Sequence, residues 1–379
     1  MEKREKITIG IIIISVIAFA SVLFMEKQRL DKSYSQLAYV RWAGNGDGSG
    51  YSQVSVFYDE KDSPGLDEIK KMRNEINQKL REDALLDSDG QGKVWTDAYS
   101  AVKDISIRKD TDSIQVKAYL VGGDFFQIHP IKLKSGNYPD TEDLQILLDE
   151  NAAWNLFGSS DIEGLKVWID DAVFTVSGVV AYEDTGLNYM AIGNRDTVYI
   201  PYETYAALKK IDEKNQPGGA AMEEEGAELE GTFTGNDGAS EDDSEKLRIT
   251  CYEAVLPNPI KNYGFNMLNE TNGIALLSDE EKEKQRSTLN FEGKEIVDNS
   301  SRYKIMSLIE RMRERKYSDM RTNAVAYPYW ENLARYEETR CIHIMISGCI
   351  IMFLIVVMIV RMVRNRKRSD KAAMLIVQE

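Results

Sequence analysis

Residues 51–80 read YSQVSVFYDEKDSPGLDEIKKMRNEINQKL, and their pattern changes period halfway. From Tyr51 to Tyr58 apolar and polar residues alternate, the signature of a half-buried strand. Pro64-Gly65 then breaks the chain. After it Leu66, Ile69, Met72, Ile76 and Leu80 recur at spacings of 3, 3, 4 and 4, which predicts an amphipathic helix with one buried face. A strand followed by a helix that buries one stripe is half of a mixed α and β layer. The rest of the chain decides what kind.

Downstream the pattern becomes strand-rich. Tyr99–Arg108 and Ser113–Val121 read as strands, and Gln145–Leu148 is a short apolar one. A helix over Glu150–Phe157 is stopped by Gly158, a residue suited to the left-handed turn after a helix. Lys166–Asp170 and Val173–Val180 read as two strands of a hairpin turning at Asp170-Asp171. Val198–Pro201 is a further strand, and Tyr202–Lys210 a helix. Order resumes at Arg248–Val255, a strand, then Lys261–Asn269, a helix. In Ser301–Lys316, Ile305, Leu308, Ile309 and Met312 recur at i, i+3, i+4 and i+7, a second amphipathic helix. Strand–helix units on both sides of a strand-rich middle favour α+β over a regular alternating parallel sheet.

Outside this body lie two apolar runs of 19 residues, Ile7–Met25 and Ile342–Val360. At 1.5 Å rise per residue each reaches about 28 Å, close to the roughly 30 Å hydrocarbon core of a bilayer. Both are expected to be transmembrane helices, with residues 1–6 before the first and 316 residues between them. Ala18-Phe19-Ala20 has the small-x-small spacing of a signal-peptide cleavage site. The apolar run continues through Met25, however, so cleavage there would leave an apolar mature terminus, and an uncleaved anchor is expected. Arg361, Arg364, Arg366, Lys367, Arg368 and Lys371 follow the second run. Basic flanks stay cytoplasmic, so both termini are expected in the cytoplasm of a two-pass plasma (inner) membrane protein with residues 26–341 outside.

Composition excludes several functions. The chain of 379 residues carries a formal charge of −15, and the stretch between the spans holds 38 basic against 58 acidic groups. So acidic a body lacks the basic footprint that nucleic acid requires. Of the three cysteines Cys341 and Cys349 lie at or in the second apolar run and Cys251 is alone outside, so one chain has no disulfide framework there. With His129 and His343 the only histidines, a zinc site built on Cys and His lacks ligands. Nothing near His129 resembles a nucleophile elbow, and no P-loop pattern occurs. The expectation is no enzyme, no metal and no cofactor. Gly44-Asn45-Gly46-Asp47-Gly48-Ser49-Gly50 lacks the spaced carboxylates of a calcium loop and is expected to be a flexible hairpin connection. Residues 212–246 hold twelve acidic groups, two lysines and six glycines. They cannot bury enough surface to offset their ordering entropy and are expected to be a disordered insert.

A set of landmarks runs through the middle. Val121-Gly-Gly-Asp-Phe-Phe126, Leu133-x-Ser-Gly136, Ile146-Leu-Leu-Asp149 and Ala153-x-x-Leu-Phe-Gly158 come first. Gly164-Leu-Lys-Val-Trp168, Phe174-Thr-Val-Ser-Gly-Val179 and Val198-Tyr-Ile-Pro201 follow. Their order and spacing resemble the MacB-type periplasmic core domain, the extracytoplasmic domain of one branch of ABC transporter permeases, over roughly residues 30–340. The resemblance implies a two-part outer domain. Its membrane-proximal part would take about 51–120 and 247–330, and an inserted β-rich part about 121–210. Members of that family have four spans. Here Arg364-Asn-Arg-Lys-Arg368 and the residues after it, Ala372, Ala373, Met374 and Leu375 among them, resemble the start of a helix that docks on the ATPase. The chain is then expected to be shortened after its second span, as a two-span half-subunit or through a shortened reading frame. A solvated basic flank on anionic lipid is the plain alternative for this tail.

The function this implies is a non-catalytic membrane subunit of an ABC-type export or mechanotransmission complex. Its partners would be a separate ATP-binding subunit, another permease chain in a homo- or heterodimer, and membrane lipid. Tyr327, Tyr329 and Trp330 are expected as membrane-interface anchors, because amphipathic aromatics favour that level. Two alternatives are a two-span regulator of surface-polysaccharide chain length and a ligand-sensing outer domain.

Overall fold

The computed structural model describes residues 3–44, 46, 48–59, 61–86, 93–141, 143–181, 195–215, 247–273, 293–309, 312 and 327–377. The chain is α+β. In chain order the elements are α1 (Lys3–Leu30), a 3-10 turn (Tyr34–Gln36), α2 (Ala38–Ala43), β1 (Tyr51–Tyr58), α3 (Leu66–Glu82), β2 (Thr96–Lys109), β3 (Asp112–Gly123), α4 (Phe125–Ile128), β4 (Leu133–Gly136) and β5 (Gln145–Asp149). They continue with α5 (Glu150–Phe157), β6 (Lys166–Ile169), β7 (Ala172–Val180), β8 (Thr197–Pro201), α6 (Tyr202–Asn215), β9 (Cys251–Pro257), α7 (Tyr263–Thr271), β10 (Lys294–Asp298) and α8 (Tyr329–Val377).

All ten strands belong to one sheet, in the order β10-β1-β9-β2-β3-β8-β5-β7-β4. The strands flanking the middle block, β1, β9 and β10, lie on one side of the long β2–β3 hairpin. The middle-block strands lie on the other. There β6 bridges β7 back to the far end of β2 at Arg108–Trp168, so β2, β3, β8, β5, β7 and β6 close a ring. Each hairpin turns on an aspartate in the left-handed region, Asp110 at φ 49° and Asp170 at φ 50°. Aspartate tolerates that conformation better than most residues.

Period-two alternation divides the sheet's side chains between two cores. Val54, Val56, Tyr99, Leu120, Ile146, Val198 and Tyr252 face α3, α5, α6 and α7. Phe57, Ala98, Tyr119, Val121, Leu147, Tyr199, Cys251 and Val255 point the other way, toward α2, α4 and the first turn of α8. β9 is buried along its whole length, which is why it reads as a continuous apolar run.

Some expectations shift. The glycine-rich run does not join two strands. It links α2 to β1, with Gly44 in the left-handed conformation that ends α2. The acidic insert begins later than expected, since 212–215 complete α6, and 216–246 lie outside the described residues. Of the amphipathic helix expected over Ser301–Lys316, residues 305–309 and 312 are helical; 310–311 and 313–316 lie outside the described residues. Both apolar runs are helical. The apolar window of α1 is 0% buried and that of α8 17% buried, unlike the core helix of a soluble domain.

Candidate functional site

The two apolar helices meet the sheet at one place, and the polar side chains there are buried and paired. Trp330, in the first turn of α8, is 3% exposed. Its ring lies 5.7 Å from that of Tyr119, 5.4 Å from Phe125 and 4.5 Å from His129. Beside it the Tyr329 and Tyr199 hydroxyls are 3.3 Å apart. Tyr327 packs edge-on against Phe57 at 5.3 Å, lies under the Arg335 guanidinium at 3.9 Å, and hydrogen-bonds Glu295. The structure thus brings together Tyr327, Tyr329 and Trp330, expected at the membrane edge. It places them against the sheet, Trp330 buried and Tyr327 and Tyr329 half-buried. Offset and edge-on aromatic pairs of this kind add about 0.5–1.5 kcal/mol each beyond area burial.

Behind this aromatic seat runs a chain of buried polar groups. His129, at the end of α4, meets Glu253 of β9. The Ser55 hydroxyl of β1 donates to Glu253 at 2.7 Å, and the Asn299 amide donates to Ser55 at 2.7 Å. Arg302 donates to Asn299 Oδ1 at 2.9 Å, to both Glu331 oxygens at 2.7 Å and to Glu338 at 2.7 Å. Arg335 closes the far side, on Glu331 at 2.6 Å and Glu295 at 2.9 Å. Side chains of Arg302, Glu331 and Glu338 are 1%, 2% and 4% exposed. Helix geometry explains the choice of acids, because residues 331, 335 and 338 share one face at i, i+4 and i+7. Burial lowers the Arg302 pKa, but Glu331 and Glu338 more than reverse this and hold the guanidinium protonated.

The other apolar helix, α1, is tied in through the segment after it. Gln53 of β1 accepts from Ala38 N at 2.9 Å and donates to Ser35 O at 2.6 Å. Gln36 donates to Trp330 O at 3.3 Å, and Arg41 donates to the carbonyls of Gln127 and Ile128. Nearer the apolar windows α1 and α8 clasp one another. Arg29 bonds Glu337 at 2.8 Å and Arg340 bonds Glu26 at 3.0 Å. Leu30, Leu308, Cys341, Ile342 and Met345 form a small apolar cluster there.

Further down, Gly348 receives the Phe19 ring. A Cβ at Gly348 would lie 2.5 Å from Phe19 Cζ. Gly348→Leu is therefore expected to part the two helices. Hydrogen exchange over residues 337–345 of the full chain in nanodiscs should quicken, and Phe19→Ala in the same chain should restore protection. Unchanged exchange in Gly348→Leu would show that this contact does not hold the pair.

Glu253 gives the junction a pH dependence. Burial pushes its carboxyl up, but the adjoining His129 imidazole and the Ser55 hydroxyl outweigh that and hold it below its ordinary value. A carboxyl depressed by folding stabilises above the unfolded value, about 4.3, and loses that contribution as pH falls through the folded one. The thermal midpoint of the wild type should exceed that of Glu253→Gln most at neutral pH. Below about pH 4 the two should converge; a gap independent of pH would contradict the assignment.

Most charges of this site pair with one another, and in doing so they tie β1, β9, α4 and α8 together. A groove of about 790 Å³ lies on the opposite face between α3 and α6 and includes the rim pairs Lys70–Asp67 and Lys71–Glu75. It touches neither apolar helix. The expected tail residues Ala372, Ala373, Met374 and Leu375 lie on the last turns of α8. The sequence reading missed Arg302, Glu253 and His129 as a group. One signal pointed there: Glu253 is the single charge in the otherwise apolar run from Cys251 to Leu256.

Comparison with known proteins bears on this architecture. A curated relative, the macrolide export ATP-binding/permease protein MacB of Chromobacterium violaceum, is 28% identical over 124 residues, 31% of this chain and 19% of that protein. The chain thus matches about a fifth of that relative's length. Among solved structures, the periplasmic region of MacB from Actinobacillus actinomycetemcomitans is 15% identical with a TM-score of 0.37, covering 71% of this chain and 98% of that one. The extracellular domain of the noncanonic ABC-type transporter YknZ from Gram-positive bacteria is 12% identical with a TM-score of 0.34, covering 65% and 99%. The profile of the MacB-like periplasmic core domain matches residues 7–228, more than half of the chain. With two apolar helices flanking this domain, the chain is a membrane protein with an extracytoplasmic segment, and it belongs to the MacB-like periplasmic core domain family.

Proposed function

We propose that this chain is a non-catalytic membrane subunit of an ABC-type export or mechanotransmission complex. A separate cytoplasmic ATPase moves α1 and α8, and the junction passes that movement to the outer domain. The observation that carries this reading is the continuity of α8. It runs 49 residues without a break from the aromatic seat through the apolar window to the basic tail, about 74 Å at helical rise. A displacement at Ala372–Leu375 has no hinge in which to dissipate before it reaches Trp330 and Glu331. In this reading both termini are cytoplasmic, residues 26–341 are outside, and α1 is retained because Glu26 and Arg29 hold α8. A second permease chain, identical or different, completes the moving pair.

The test is photo-crosslinking in native membranes from Ala372, Ala373 or Leu375, with purification in mild detergent. Capture of an ATP-binding protein is expected. Recovery of the chain alone, with only lipid adducts from all three positions, would sink the proposal.

A further inference from the structure

Trp330 is buried against the sheet and Tyr327 and Tyr329 are half-buried there, and the neck of the molecule carries further exposed apolar side chains. Tyr34 follows α1 by four residues and is 55% exposed; Tyr336 of α8 is 48% exposed. Ile305 and Met306 are 67% and 68% exposed. Their helical turn is held by Leu308, which is 5% exposed in the cluster with Leu30, Cys341, Ile342 and Met345. That cluster fixes the level. Ile342 opens the apolar run of α8, so a turn packed on Ile342 and Met345 sits where the hydrocarbon begins. Tyr336 lies six residues earlier, about 9 Å along the helix. The headgroup region adds roughly 5–8 Å to each side of the hydrocarbon core, so Tyr336 marks its outer edge.

We infer that Ile305 and Met306, with Tyr336 at the outer edge, form a collar that beds in the phospholipid headgroup and glycerol layer of the membrane face from which the outer domain emerges. Continuity with the exposed apolar surface of α1 and α8 favours lipid over a protein occupant. So does charge: Lys27, Lys32 and Lys304 are exposed at this neck, beside the acid Asp31. Lysine stems lie along apolar surface while the ammonium reaches a phosphate. Tyrosine suits the same layer, with a ring in the glycerol region and a hydroxyl in water. A collar at fixed depth would stop the neck from sinking, so a displacement of α8 would tilt the outer domain rather than carry it into the bilayer.

This rests on the membrane reading of α1 and α8, and the experiment separates the two. The full chain with Cys349→Ser, whose other cysteines are buried, takes one added cysteine at a time: Ile305→Cys, Met306→Cys, Ile350→Cys or Trp154→Cys. Each is labelled with a nitrobenzoxadiazole dye. The labelled protein enters nanodiscs of phosphatidylcholine and phosphatidylglycerol, with and without brominated acyl chains. Labels at 305 and 306 should be quenched at least twofold by lipid brominated near the glycerol. The label at 350, in the apolar run of α8, should respond most to deep bromines. The label at 154, 54% exposed on α5 over the far face of the sheet, should not respond. Quenching at 350 without quenching at 305 and 306 overturns the collar alone. Blue-shifted but unquenched emission at 305 and 306 also overturns it, in favour of a protein contact. Absence of quenching at all four positions overturns the membrane reading as well.

Discussion

Arg302→Leu should free α8 from the sheet and lower the thermal midpoint of the full chain by roughly 10 °C. Arg302 bonds two carboxylates that are almost fully enclosed, Glu338 and, together with Arg335, Glu331. Removing one partner of a buried ion pair costs about 3–5 kcal/mol, because the other charge stays desolvated and unpaired. Each kcal/mol shifts the midpoint by about 2–4 °C in a body of this size class. Arg302→Lys should fall between, since a lysine keeps the charge but cannot offer two parallel donors to Glu331. The sharper test is restoration. Arg302→Met with Glu331→Leu and Glu338→Met removes every charge of the triad, and should recover most of the lost midpoint. If the triple variant is no more stable than Arg302→Leu, unpaired charge is not the cause.

Trp330→Ala is the second large effect. The indole fills the space between Tyr119, Phe125, His129 and Tyr329. Truncating a buried aromatic costs about 3–5 kcal/mol through lost transfer energy and the cavity left behind. Trp330→Phe should cost less than half of that. Tyr329→Ala should also cost less, because Tyr329 is half-buried and leaves a site that water can enter. Hydrogen exchange would locate the damage. Protection should fall in the first three turns of α8 while β5 and β7 keep theirs. A uniform loss across the sheet would mean that Trp330 supports the domain as a whole and not its attachment to the helix.

The two effects fall on residues that local sequence patterns mark very differently. β1 was readable to the residue, Tyr51–Tyr58, from its partial alternation, although it is buried on both faces and not half-buried, because the two cores cover it from either side. The α5 stop at Gly158 and the hairpin at Asp170 were readable for the same kind of reason: turn chemistry is local. β9 was placed three residues early at its start, since Ile249 and Thr250 suit a strand as well as the residues after them. What sets its register is pairing with β1, Tyr51 opposite Pro257, and that is not local. β10 went unread. Lys294–Asp298 is too short for an alternation to declare itself, and it is a strand because β1 lies beside it.

The site was legible only in its outline. Tyr327, Tyr329 and Trp330 stood out as an aromatic cluster at the foot of an apolar run, and their grouping is real. Their surroundings were not readable, because Trp330 meets Tyr119 and Phe125 from across the sheet. The polar chain behind them joins partners as distant as Ser55 and Asn299, 244 residues apart. No periodicity links such positions. Only Glu253 betrayed the site, as a charge where a fully buried strand leaves no room for an unpaired one.

The central claim is that α8 and the sheet move as one body. The most direct measurement is the electron–electron distance between spin labels at Trp154→Cys on α5 and Tyr336→Cys on α8. It would use the full chain carrying Cys349→Ser in nanodiscs. A single narrow distribution is expected, broadening in Arg302→Leu. A broad or two-peaked distribution in the otherwise unaltered chain would contradict rigid attachment, and with it the transmission of movement through the junction.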